Sequence, residues 1–398
     1  MKRSDGQLAY LLAAISSVGP FCIDAYLPSM PELSQVFGRP LPVVQQTLTA
    51  YMAMFAIMTL WHGAISDAVG RRRVILVSMA LFALASVGCA LAPSFEALLF
   101  FRALQGMTAG TGMVVGRAIV RDLHQGPQAQ KMLSLVTLVF AVAPSVAPVI
   151  GGWLQHFFGW RSVFFFMAAF AVAVFVWAYL TLPESLPREQ RQPFAPGYLL
   201  RTYFRALTHV RFMAAVFGLA LGFSGFFVYV LSAPVFLMTH LHLHETEFLW
   251  LFGPITAGML IGAWGSGRLA GEISTGRTVV LGFATMGLAV AINLVVTLAL
   301  EPGVPWSVAS MFFYALGFSL ATPSLTLMAL DLFPQQRGLA ASCQSFVQSM
   351  GNAANAAFFA PLLWATPLRL SLGSAAFFAL AGIAVALHLL TGTPDPAA

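Results

Sequence analysis

The chain has 398 residues, 59% of them hydrophobic and 9% charged, with a mean hydropathy of +0.83 and a net charge of +6. Soluble domains carry about 25% charged residues, so lipid is the main solvent for this chain and a soluble enzyme is excluded. The positive charge does not imply nucleic acid, because its distribution along the chain has another cause.

Only two lysines exist, Lys2 and Lys131, and neither lies in a G-x-x-x-x-G-K-[ST] pattern, so no built-in ATPase is expected. Cys22, Cys89 and Cys343 lie far apart in apolar segments, with no metal or redox spacing. The N-terminus reads Met-Lys-Arg and then an apolar run, as a signal peptide does. That run is long enough to span and holds Pro20, Asp24 and Pro28, so it is taken as an uncleaved first helix.

A spanning helix needs about 20 mostly apolar residues. Twelve such runs follow in order, at roughly 8–30, 43–66, 73–92, 95–118, 131–154, 161–182, 209–238, 247–270, 277–298, 304–330, 337–362 and 368–391. One long polar connection, 183–208, divides them into a first bundle, 1–182, and a second, 209–398, each of six spans. With the N-terminus inside, the inner loops and helix ends carry 16 of the 20 basic residues: Lys2, Arg3, Arg71, Arg72, Arg73, Arg117, Arg121, Lys131, Arg188, Arg191, Arg201, Arg205, Arg211, Arg268, Arg277 and Arg337. Arg39, Arg161 and Arg369 fall outside, and Arg102 falls within a span. The positive-inside rule then puts both termini in the cytoplasm and explains the net charge. A weak repeat, "GRRRVILVSM" from Gly70 and "GRTVVLGFATM" from Gly276, recurs after half the chain, as in transporters built from two six-helix halves.

Between spans two and three stands "GAISDAVGRRR", in which Gly63 and Gly70 allow tight packing and Asp67 can cap a helix or pair with a cation. Span four holds Gly106, Gly110, Gly112 and Gly116, a spacing that lets helices approach closely in lipid. Span five holds Pro144, Pro148, Gly151 and Gly152, which remove backbone bonds and permit a kink. Span seven offers Phe223, Phe226, Phe227 and Tyr229, either as packing or as an aromatic wall. In span eleven Gln344, Gln348, Asn352 and Asn355 share one face, which should point at the bundle interior or a water-filled cavity. The loop "THLHLHETEF" bunches His240, His242 and His244 with two glutamates, but it reads as an exposed loop and no metal site is assigned.

The loop from Gly63 resembles the signature loop of the major facilitator superfamily at every defining position. "RALQGMTAGTG" from Arg102 resembles that superfamily's fourth-helix motif. "APVIGGW" from Ala147 resembles its fifth-helix antiporter motif, with Ala147 where glycine is usual. "IDAYLPSMPEL" and "LPREQRQPF" look like the Bcr/CflA-type drug-resistance subfamily. The resemblance implies an all-α membrane protein with the major facilitator fold and twelve transmembrane helices in two six-helix pseudo-repeats. It also implies that Asp67, Arg71, Arg72, Arg121 and Asp122 form a charge-and-cap cluster that latches the halves.

Asp24 and Arg102 are the two charges clearly within spans. If span one starts near Tyr10, Asp24 lies roughly 21 Å into a core of ~30 Å, and Arg102 lies at a similar depth in span four. Each costs ~2.5–3.5 kcal/mol at a helix centre, which mutual proximity in a wet cavity would offset. A carboxylate whose proton affinity depends on which side is open is what proton coupling requires. The alternative is that Asp24 only caps a helix break before Pro28. The expectation is a monomeric exporter in the cytoplasmic (inner) membrane. It moves small, largely apolar drugs in exchange for protons, needs no cofactor and draws on the proton gradient. Substrate would meet Tyr26, Met107, Phe223, Phe226, Tyr229, Gln344, Gln348 and Asn352. The rival readings are a metabolite or nutrient transporter on the same fold, a membrane enzyme, and a channel.

Overall fold

The computed structural model describes residues 3–124 and 126–390. Lys2, the side chain of Lys131 and the end of the chain after residue 390 lie outside the described residues. In lipid every backbone polar group needs an internal partner, so long apolar runs fold as helices. The helices are α1 Arg3–Asp24, α2 Met30–Val36, α3 Leu41–Val69, α4 Arg71–Ala90, α5 Phe95–Ala109, α6 Thr111–Leu123, α7 Gly126–Phe158 and α8 Trp160–Thr181. They continue as α9 Pro196–Leu207, α10 Val210–Leu231, α11 Leu249–Leu269, α12 Thr275–Ala299, α13 Trp306–Leu330, α14 Arg337–Ala354, α15 Ala360–Leu363 and α16 Pro367–Leu390. Among the described residues no β-strand forms.

Local chemistry sets several of the boundaries. Ser94 and Ser274 accept the backbone N–H of Ala97 (3.2 Å) and Arg277 (3.3 Å) and so cap α5 and α12. Span one breaks after Asp24 into a 3₁₀ turn, Leu27–Ser29, because Pro28 disfavours helix at the residue before it. Span four breaks at Gly110, between α5 and α6. Span five does not break: α7 runs on through Pro144 and Pro148.

Among the described residues ten helices are long and apolar enough to cross a membrane. The other two expected spans are helical as well. Span five is α7, part of whose side chains lie outside the described residues. Span eleven is split into α14, a π-helical turn Asn355–Phe359 and α15, and its polar stripe lowers its apolarity.

The chain divides into two compact units, 1–196 and 197–398. The first half of the polar connection therefore packs with the first unit, while its second half folds as α9. The same pairings recur within each unit. In the first, α3 packs on α5, α4 on α5 and α8, and α1 on α7. In the second, α11 packs on α13, α12 on α13 and α16, and α10 on α14. The sequence repeat is thus a repeat of packing.

Candidate functional site: a caged arginine, an unpaired carboxyl and a three-carboxylate clasp

Arg102 is 0% exposed, within the first unit. Its guanidinium lies 4.5 Å from the ring centroids of both Tyr26 and Tyr51. Nη1 donates to Gln105 Oε1 (2.9 Å) and to Cys22 Sγ (3.0 Å). The surrounding groups are themselves tied down. Gln105 Nε2 donates to Ser86 Oγ (2.8 Å), Tyr51 donates to the Gly19 carbonyl (2.8 Å), and Tyr26 and Thr47 share a 2.7 Å hydroxyl contact. Among the described residues Nε and Nη2 find no hydrogen-bond partner. The two aromatic faces supply part of what those N–H groups lack.

Asp24 is 4% exposed. Among the described residues no hydrogen bond or ion pair reaches its carboxyl, including any from Arg102. Cys22 and Tyr26, four residues apart, share the face turned to Arg102. Asp24 lies midway between them, roughly 200° round a helix from Cys22. Among the described residues the two charges that the sequence places together make no direct contact. Around them the backbones are close: a Cβ on Gly151 would overlap the Ala25 carbonyl, and one on Gly106 the Tyr51 carbonyl. Gly152 is buried beside Gly151, and Met107 is half-buried one residue from Gly106.

A second cluster sits at the α3–α4 turn. Arg71 pairs with Asp67 (2.5 Å) and with Asp122 (3.1 Å), and Nη1 donates to Ser66 Oγ (2.6 Å). Its backbone N–H donates to Glu184 Oε1 (2.9 Å), so this carboxylate caps α4. Gly70 has φ 109°, where only glycine is unstrained, and Glu184 and Arg191 fill the place a side chain would take. Ser185 donates to Asp122 (2.8 Å), Gln192 N–H to the Asp67 carbonyl (3.2 Å), and the Trp61 and Phe194 rings meet at 5.9 Å. Residues 183–194 thus strap the turn. Arg72 donates to the Tyr179 carbonyl (2.7 Å), while Arg121 is exposed and outside the cluster. Gly63 is in ordinary contact with Val114. Glu184 lies 113 residues from Arg71, and its only sequence signal is the "PESLP" that follows span six.

In the second unit Phe223 packs against Phe226, Phe227 and Phe318 at 4.8–5.7 Å between ring centroids. Tyr229 is buried and accepts from Asn293 Nδ2 (2.8 Å), and Asn293 Oδ1 accepts from Ser310 (3.1 Å). Gln344, Gln348 and Asn352 are half-buried, and among the described residues Gln344 Oε1 and Asn352 Oδ1 have no hydrogen-bond partner. The helix loosens into its π turn at Asn355, and such turns are frequent at functional sites. His240 bonds the Trp364 carbonyl (2.8 Å). Among the described residues no cluster of three or more His, Cys, Asp or Glu is placed to hold a metal.

One polar group escapes a reading of the sequence. His62, buried in α3, bonds Thr111 Oγ1 (2.9 Å), which donates to Ser78 Oγ (2.9 Å). A lone histidine in "LWHG" carries no formal charge at neutral pH, so a charge-based scan passes over it.

Comparison with known proteins agrees with this architecture. Residues 9–356 match the Major Facilitator Superfamily. The uncharacterized MFS-type transporter YdgK of Bacillus subtilis (strain 168) is 34% identical over 339 residues, 84% of each chain. Multidrug resistance protein D of Escherichia coli (strain K12) is 28% identical over 371 residues, 91% of each. A bacterial homolog of the human lysosomal transporter Spinster superposes with a TM-score of 0.75 at 17% identity, over 99% of this chain and 100% of that one, which speaks for the fold alone. The chain belongs to the major facilitator superfamily and is a multi-pass membrane transporter, not an enzyme.

Proposed function

We propose that the protein exports small, largely apolar drug-like molecules in exchange for protons, in the cytoplasmic membrane with both termini inside. The observation that carries this reading is the unpaired carboxyl of Asp24. An anion buried without a partner costs several kcal/mol, and at the C-terminal end of α1 the helix dipole adds to that cost. The neutral acid suits this place. A conformation that wets Asp24, or turns it toward Arg102, favours the anion. Alternation between two such states binds a proton on one side and releases it on the other. Each inward proton gains ~2.3 kcal/mol per 100 mV of membrane potential. The resemblance to Multidrug resistance protein D supports drugs as the substrate class. The phenylalanines around Phe223 and the amide stripe on α14 supply apolar and hydrogen-bonding surface for such molecules.

The test is Asp24→Asn in proteoliposomes, with drug efflux and drug-induced proton release measured together, beside a growth-inhibition panel of unrelated antibiotics. Proton release is expected to vanish and uphill efflux to fall at least tenfold. Wild-type proton-coupled efflux in Asp24→Asn overturns the assignment. A wild type that confers no resistance to any compound overturns the substrate class.

A further inference from the structure

The amphipathic helix α9, Pro196–Leu207, is not used by the transport chemistry above. Leu199, Tyr203 and Ala206 bury one face. That face meets the start of α14: Tyr203 bonds Ser342, and Gln336 Nε2 donates to the Tyr198 hydroxyl (3.3 Å). Burial pushes the Tyr203 phenol up to about 12, as expected of a hydroxyl held away from water. A second face is apolar yet open: Leu200 is 55% exposed, Phe204 70%, and Leu207 follows at the same helical spacing. A third face carries Arg201 and Arg205, both exposed. Among the described residues neither arginine is paired with a carboxylate, and α9 itself contains no acidic residue.

Three faces at these angles fit one position. The buried face holds the helix to its own unit, the open apolar stripe faces acyl chains, and the arginines meet the headgroup layer. Connectivity agrees, because α10, a membrane span, begins three residues after Leu207 with the exposed Val210. We infer that α9 lies in the membrane interface and is a docking surface for anionic phospholipid, with Arg201 and Arg205 on the headgroup phosphates. This requires only that the chain be a multi-pass membrane protein, not that it couple drugs to protons.

The experiment uses the full chain with Phe204→Cys carrying a bimane fluorophore; the native cysteines are buried. It is reconstituted in phosphatidylcholine vesicles containing about one third phosphatidylglycerol. Spin-labelled phosphatidylglycerol is expected to quench the fluorophore at least ~threefold more than spin-labelled phosphatidylcholine. The preference should disappear in Arg201→Gln/Arg205→Gln and persist in Arg201→Lys/Arg205→Lys, which keeps the charge. Equal quenching by the two lipids, or quenching by aqueous iodide instead, overturns the inference. So does oxidative cross-linking of the unlabelled Phe204→Cys variant between copies that is insensitive to lipid charge, which would make this face a contact between two chains.

Discussion

Arg102 stacks its guanidinium over the ring of Tyr51, 4.5 Å from the centroid, and among the described residues its Nε and Nη2 have no hydrogen-bond partner. A fully buried cation held by aromatic faces and neutral acceptors is poised rather than settled. Charge is kept here at a cost that apolar packing would have avoided.

That cost separates stability from function. Replacing a buried ion pair by apolar residues of similar volume is often neutral or stabilising, and among the described residues Arg102 has only neutral partners, so no opposite charge is left stranded. Arg102→Met should therefore leave the melting temperature in detergent unchanged or raised, while proton-coupled efflux falls at least tenfold. Arg102→Lys should rescue efflux poorly, because an ammonium cannot lie flat between two rings while reaching Gln105. A stable Arg102→Met variant with full efflux would falsify the role assigned to this charge.

The close backbone approaches predict a graded alanine series. Alanine at Gly106 or Gly151 would drive a methyl into the Tyr51 or Ala25 carbonyl, at ~1–3 kcal/mol of overpacking. At Gly116 the nearest atom is Ser16 Oγ at 3.4 Å, which a small shift relieves, and alanine is the better helix former by ~1 kcal/mol. Thermal unfolding should rank Gly116→Ala at or above wild type and the other two clearly below.

The strap over the α3–α4 turn should be released by Glu184→Ala. The variant loses the cap on Arg71 N–H, ~1 kcal/mol, together with the contact to Arg191 (3.7 Å). Limited trypsin digestion should cut after Arg188 and Arg191 about five- to tenfold faster. Unchanged cutting would mean that the strap is held by Trp61–Phe194, Gln192 and Ser185 without Glu184.

In the second unit, Tyr229→Phe leaves the Asn293 amide without its acceptor, a loss of ~1–3 kcal/mol for a buried donor. Asn293→Leu should cost a similar amount, and the double variant less than the sum of the two. A double-mutant cycle that is simply additive would show that the hydroxyl and the amide are not coupled.

Much of the fold is legible in the sequence because lipid simplifies the reading. Where no water can satisfy the backbone, apolar length alone announces a helix. The signature loop is legible too, since Asp67 and Arg71 are only four residues apart, on either side of Gly70. Glu184 is not, because a contact across 113 residues depends on how α8 returns beside α4. The split of span eleven is also hidden: nothing in "GNAANAAFF" distinguishes a π turn from an α-helix, and neighbouring packing decides it.

Asp24 and Arg102 mark the boundary most clearly. Residue order is enough to place both charges within apolar spans and to predict a common level, because helical rise converts residue number into depth. That they do not meet is a property of the folded unit. Span one is held by close packing, through Gly112 against Ile15 and Gly151 against Ala25, and in that packing Cys22 and Tyr26, not Asp24, make the contacts with the arginine.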